Sequence, residues 1–274
     1  MYFKSKFNPC FFIAEVGSNH EGSFVHAKKL ILEAIKSKAD LVKIQMYTPD
    51  GMVNKKYDKV RYKHFSKLSL NIEQYIELSK LCRKKNKKFS ASIWDLDLIE
   101  PTKKYIDIYK IGSGDLNNFQ IIEKIVRTKK PIIISTGLSS LIQIKKTLEF
   151  IKSLDKNYIS SKKVALLHCN TAYPTPVEDS NLMNILQLKK KFNLPIGYSD
   201  HNLGKEVIKT AYTLGAEIIE KHFSLNPKLK SFRDHQISLN RKQTDDFLDD
   251  CSLIKKLLKV KKNSLTNSEK KQKN

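Results

Sequence analysis

The sequence predicts an α/β fold, a (β/α)8 TIM barrel, from three observations. Short apolar runs alternate with longer amphipathic stretches, the alternation repeats eight times, and polar residues gather just beyond each apolar run. Parallel strands need a crossover between neighbours, and a helix-length segment supplies it each time. The 274 residues suit one barrel of this kind, which needs about 250. With 40% hydrophobic and 29% charged residues, the chain can bury a core without disulfides.

The elements follow in order. Cys10–Ala14 (CFFIA) reads as a strand and Phe24–Ser37 as a helix. Leu41–Ile44 is the second strand; a long polar connection leads to Ile72–Lys85, where apolar residues recur at helical spacing. Phe89–Ile93 and Leu96–Lys104 form the third pair, Ile106–Ile111 and Phe119–Thr128 the fourth. Pro131–Ser135 with Leu141–Leu154, Val164–His168 with Leu182–Phe192, and Pro195–Tyr198 with Lys205–Leu214 continue the pattern. Ile218–Lys221 and Gln243–Lys259 complete it. The barrel domain is expected to span residues 1–258, and the Lys-, Asn- and Ser-rich stretch 259–274 to be a disordered tail.

The net charge of +23 invites a nucleic-acid or membrane-surface reading. Yet only Arg61, Arg83, Arg127, Arg233 and Arg241 among the 51 basic residues carry the planar fork that base and phosphate recognition favours, and the lysines are spread along the whole chain. The expectation is lysine-covered helix faces, with neither nucleic acid nor membrane as partner. The N-terminal apolar run is too short for a signal peptide and is interrupted by Glu15, and no segment approaches the ~20 apolar residues of a membrane span. Cys10, Cys82, Cys169 and Cys251 lack paired or metal-type spacing, so packed, reduced thiols in a cytoplasmic protein are expected.

In such barrels the active site lies at the C-terminal strand ends. There the sequence places Glu15, Lys43 and Gln45, Ser92, Lys110 with Ser113 and Asp115, Ser135, Thr171 with Tyr173, Ser199 with His201, and Glu220 with His222. A lysine inside an apolar run must find an anion, so Lys43 and Lys110 point to a phosphate or carboxylate. The serines and the glycines of GSG add small donors beside it. His201 and His222, on adjacent strands, can converge on a catalytic divalent ion or be a plain hydrogen-bonding pair. Glu15, Asp115 and Asp234 supply carboxylates for proton transfer or for gripping hydroxyls. The bland alternatives are helix capping for Ser92, Ser135 and Thr136, turn geometry for Asn19 and Asn170, and core packing for Cys169, the last being the favoured one.

The stretches AEVGSNHEG, LVKIQ, YKIGSGD, PIIISTGL, LLHCNTAYPTP, LPIGYSDH, GAEIIEKHFSL and Asp234-His235 together resemble the N-acetylneuraminate (sialic acid) synthase family, in order from Ala14 to His235. The resemblance implies an enzyme that joins phosphoenolpyruvate to an N-acylated amino-sugar aldehyde and releases phosphate. By position, Lys43, Ser92, Lys110, Ser113, Ser135, Thr171 and Ser199 resemble the phosphoenolpyruvate contacts, and Gln45, Tyr173 and Asp234 the sugar contacts, with Glu15 beside them. Glu15 and Asp115 are the implied proton-handling residues, and His201 and His222 the implied ligands of manganese or magnesium. A cytoplasmic homodimer is implied as well.

The resemblance covers the barrel domain only, without the C-terminal antifreeze-protein-like domain common in the family. The third strand reads SASIWD in place of a Ser-Thr-Pro-Phe-like turn, which brings Trp94 towards the pocket, and SFRDH replaces a Gly/Pro-rich approach to Asp234. Two rival readings remain: a Schiff-base aldolase using Lys43, Lys110 or Lys221, and a barrel retained as a binding protein.

Overall fold

The computed structural model describes residues 2–259 and 265–273. Its strands are β1 (Phe11–Gly17), β2 (Leu41–Met46), β3 (Lys88–Ile93), β4 (Ile108–Ile111), β5 (Ile132–Ser135), β6 (Val164–Cys169), β7 (Ile196–Asp200) and β8 (Ile218–His222). Each pairs in parallel with its sequence neighbour, and β1 closes on β8, giving the predicted eight-stranded barrel. Helices Phe24–Lys36, Ile72–Lys84, Phe119–Arg127, Leu141–Leu154, Asn184–Lys191, Glu206–Thr213 and Arg241–Leu257 follow seven of the strands, and β3 is followed by a 3-10 turn running into the short helix Ile99–Thr102.

Side chains alternate across each strand, so closure sorts the core into two parts. Phe11 and Ile13, Leu41, Ile108, Ile133, Ala165 and Leu167, and Ile218 fill the barrel interior, with Phe3 packed among them. Phe12, Ala14, Val42, Ile44, Ile132, Ile134, Leu166, Tyr198 and Ile219 face the surrounding helices. One step further along the inward rows the apolar residues stop. Glu15, Lys43, Lys110, Ser135, Cys169, Ser199 and Glu220 take their place around the upper layer.

That polar layer explains where the strands outrun their sequence-predicted ends. β1 continues through Glu15 to Gly17, β2 through Gln45 to Met46, β6 to Cys169, β7 to Asp200 and β8 to His222. Hydrogen-bond ladders do not require apolar side chains, and the hydropathy pattern ends before the ladder does. Gly17 sits at φ +55° where β1 slips register against β2, and a Cβ there would lie 3.2 Å from both Glu15 Oε1 and His222 Cε1.

The long polar connection after β2 contains helix Lys59–Leu68, which the apolar pattern does not reveal because it buries only Leu68. It starts at Asp58, whose carboxylate caps the Arg61 amide. Of the tail expected to lack structure, residues 260–264 and 274 lie outside the described residues, and Asn267–Gln272 is a helix opened by a Thr266/Glu269 capping box. Among the described residues no helix is long and apolar enough to cross a membrane.

Gly197 marks how tightly the barrel is filled. A Cβ there would fall 2.2 Å from the Ile218 carbonyl oxygen and 2.6 Å from Leu167 Cδ2. Gly197→Ala should therefore destabilise the fold by about 1–3 kcal/mol or more. Urea denaturation checks this, with a lower midpoint expected; a wild-type midpoint would contradict it.

Candidate active site

Above the polar layer, at the C-terminal strand ends, lies a cavity of about 970 Å³. Every residue to which the resemblance gives a catalytic, substrate or metal role lines it: Glu15, Lys43, Gln45, Ser92, Lys110, Ser113, Asp115, Ser135, Thr171, Tyr173, Ser199, His201, His222 and Asp234. Strand register brings them together from afar. Ser92 sits opposite Lys110 across β3 and β4, Ser199 opposite Glu220 across β7 and β8, and Glu15 opposite His222 across β1 and β8.

The floor is a set of buried, mutually compensating charges. Lys43 forms an ion pair with Glu15, both side chains almost wholly enclosed. Lys110 reaches across to Glu220 at 2.9 Å, and the Ser199 hydroxyl donates to the same oxygen at 3.0 Å. Burial opposes ionisation of Glu220, but Lys110 and Lys43 overcome it and hold the carboxyl down at about 2. Burial also opposes the charge on Lys43, yet Glu15 and Glu220 keep its ammonium above the ordinary lysine range. Glu15 is the softer carboxylate, pushed upward by burial against the pull of Lys43. Glu15 Oε1, Glu220 Oε2, Ser135 Oγ and His222 Nδ1 are buried with no hydrogen-bond partner, and all four belong to cavity-lining residues. Such atoms are costly to leave unpaired in a folded protein.

The imidazoles of His201 and His222 stand 5.6 Å apart, centroid to centroid. His201 Nδ1 donates to the Asn170 carbonyl at 2.6 Å, which leaves its Nε2 with a free lone pair. Burial pushes both rings down to about 3, so they are neutral. Tyr173 stacks on His201 at 3.9 Å, and the Arg233 guanidinium lies over Tyr173 at 4.4 Å while its Nε donates to Asp234 at 3.0 Å. Two neutral imidazoles, one with an orphaned nitrogen, fit part of the donor set of a divalent cation. Among the described residues no group of three or more His, Cys, Asp or Glu is spaced to hold a metal.

Asp115 follows β4 in the turn Ser113–Asp115, and the Trp94 indole donates to it at 2.6 Å. Burial pushes its carboxyl above the ordinary range, against Trp94, Asn118 and Lys110. Gln45 accepts from Ser18 at 3.2 Å, and Ser113 accepts from the Gly137 amide at 3.1 Å.

The capping alternative fails for Ser92 and Ser135: the helical turns that follow are capped by Asp95 and Ser140. It fails for Thr136 too, whose hydroxyl donates to the Leu167 carbonyl. Asn170 does make the expected turn, accepting from the Ala172 amide, and Asn19 ties β1 to Phe223 and Ser238. Cys169 is buried, as expected, and its side chain also lines the cavity, 3.8 Å from His201. Glu220, a strand-end residue given no role in advance, turns out to be the partner of Lys110, and Arg61 and Arg233 line the mouth. Lys221 points the other way, out of the barrel, where it pairs with Asp200 and donates to the Asn202 carbonyl.

The sequence profile of the NeuB family matches residues 30–263. The chain belongs to the NeuB family. N,N'-diacetyllegionaminic acid synthase of Campylobacter jejuni is 36% identical over 240 residues, 83% of this chain and 71% of that protein. Human N-acetylneuraminate-9-phosphate synthase is 32% identical over 264 residues, 92% of this chain and 72% of that protein. The crystal structure of N-acetylneuraminic acid (sialic acid) synthetase from Leptospira borgpetersenii, in complex with citrate, superposes with a TM-score of 0.86 at 31% identity, covering 97% of this chain and 90% of that one. This NeuB-family chain is thus an enzyme of the nonulosonate-synthase type.

Asp200 and Lys221 brace the site from behind, both almost fully buried. Removing one partner of a buried pair strands the other charge. Asp200→Asn or Lys221→Met alone should cost about 3–5 kcal/mol of stability. The double variant should recover part of that in a denaturation cycle; strictly additive losses would show that the pair is not coupled.

Proposed function

We propose that this NeuB-family enzyme condenses phosphoenolpyruvate with an N-acylated amino-sugar aldehyde, forming a sialic-acid-type nonulosonate and releasing phosphate. One observation carries the reading: two buried lysines and several unpartnered polar atoms converge on a single cavity. Lys43 and Lys110, with the hydroxyls of Ser92, Ser113, Ser135, Thr171 and Ser199, bind the phosphate and carboxylate. Gln45, Tyr173 and Asp234 hold the sugar. His201 and His222 would hold a manganese or magnesium ion, which supplies Lewis acidity at the aldehyde oxygen.

The enol carbon attacks the aldehyde carbon, water adds at the phosphate-bearing carbon, and the carbon–oxygen bond to phosphate breaks. The new hydroxyl takes up one proton and the added water gives one up. Glu15 and Asp115, which both line the cavity, carry these protons with no net change, and the second proton of the added water leaves with the phosphate. A Schiff-base aldolase is disfavoured, because it needs a lysine of lowered pKa. Lys43 is held charged by Glu15, Lys110 is paired with Glu220, and Lys221 lies outside the cavity. A cytoplasmic homodimer belongs to the same reading through the family resemblance alone.

The test is phosphate release from phosphoenolpyruvate with manganese across N-acetylmannosamine, its phosphorylated form and diacetamido sugars. Release should require both substrates, stop on chelation and return with manganese or magnesium. His201→Ala should lower kcat/KM on the order of a hundredfold or more. No turnover with any sugar, or an unaffected His201→Ala enzyme, would sink the reading.

A further inference from the structure

Trp94 is the single tryptophan of the chain, and it lines the cavity. Its own position is tightly set. Its backbone amide donates to the Met46 carbonyl at 3.1 Å. Its ring lies 5.7 Å from Tyr47, which in turn meets Phe65 edge-on at 5.6 Å. From this anchored ring the indole N–H reaches Asp115 Oδ2 at 2.6 Å. A cation in that place would neutralise the carboxylate; the indole is a donor only, carries no charge and cannot titrate. It therefore orients the carboxylate without cancelling it.

We propose that Trp94 is a positioning residue, which fixes the Asp115 carboxylate in one orientation towards the reacting sugar and phosphoenolpyruvate. The inference rests on the reading of Asp115 as a proton carrier, and adds to it what holds that carrier in place. A carboxylate misplaced by about 1 Å loses on the order of a hundredfold in rate. Lys110 on β4 is the charged group that acts on Asp115, and Asn118, the residue that caps the following helix, also acts on it. Both act to lower its pKa, as Trp94 does, against burial. Loss of the indole donor therefore moves the Asp115 titration upward.

The experiment compares wild type, Trp94→Phe and Asp115→Ala in the phosphate-release assay, with phosphoenolpyruvate and whichever sugar turns over. Trp94→Phe keeps the ring against Tyr47 and removes only the donor. Its kcat should fall by about tenfold to a hundredfold, with the KM for phosphoenolpyruvate little changed. The limb of the pH profile set by Asp115 should move to higher pH. A wild-type kcat and pH profile in Trp94→Phe would overturn the positioning role while Asp115→Ala remains inactive. A fully active Asp115→Ala would instead overturn the proton-carrying reading itself. A readout free of turnover is the emission of the lone tryptophan, which should shift in Asp115→Ala as its acceptor is lost. Unchanged emission would show that the bond does not exist in solution, even if Trp94→Phe fails to fold.

Discussion

Two lysines and two carboxylates are enclosed in the upper layer of the barrel, and the surrounding structure is arranged to make that tolerable. Isolated charges in such a place would cost far more than the protein's net stability. They persist because Lys43 meets Glu15 and Lys110 meets Glu220, with Ser199 completing the second pair. Each pair bridges separate strands, and Lys110–Glu220 crosses the barrel from β4 to β8. The geometry holds only while the layer beneath is solid, which is the task of Ile13, Leu41, Ile108, Ile133, Leu167 and Ile218. It also requires the walls to hold their register, and Asp200–Lys221 ties β7 to β8 on the outer side.

The pairs also set the resting charge of the pocket floor. Two ammonium groups and two carboxylates balance, so an incoming anion meets no free excess of positive charge there. It must compete with Glu15 and Glu220 for lysines that are already engaged. The orphaned serine oxygen and the soft Glu15 carboxyl make that exchange less costly than the rigid pairing suggests. The large cationic excess of the whole chain lies elsewhere, on helix faces, where lysines such as Lys28, Lys36 and Lys145 form partly solvated pairs of small energetic weight.

Much of this was legible in the sequence, because closure of a barrel turns position along each strand into position in space. Once eight apolar runs close into a barrel, polar residues late in a run or just past it gather at the common mouth, as Lys43 and Lys110 do from within their runs and Glu15 and His222 from just beyond theirs. What escaped was pairing, which needs distances rather than order. Glu220 was visible as a strand-end acid, but its bond to Lys110 spans more than a hundred residues of chain. Cys169 reads as core and is buried, but inward alternation from Leu167 also puts it on the cavity wall, an environment that an apolar thiol suits equally. Helix Lys59–Leu68 was missed because it buries almost nothing, so it leaves no apolar stripe to read. Trp94 departs from the family pattern in the sequence, yet only the structure gives its partner, Asp115.

Phe3 makes the two ends of the barrel unlike. Packed among Phe11, Ile13 and Leu41, with Tyr2 against it, this residue belongs to the apolar layer that fills the barrel interior. The cavity lies on the other side of that layer, lined by Arg61, Tyr173 and Arg233 as well as by the buried lysines. An anion seated on Lys43 and Lys110 thus rests against a solid back: the barrel is a drawer rather than an open tube.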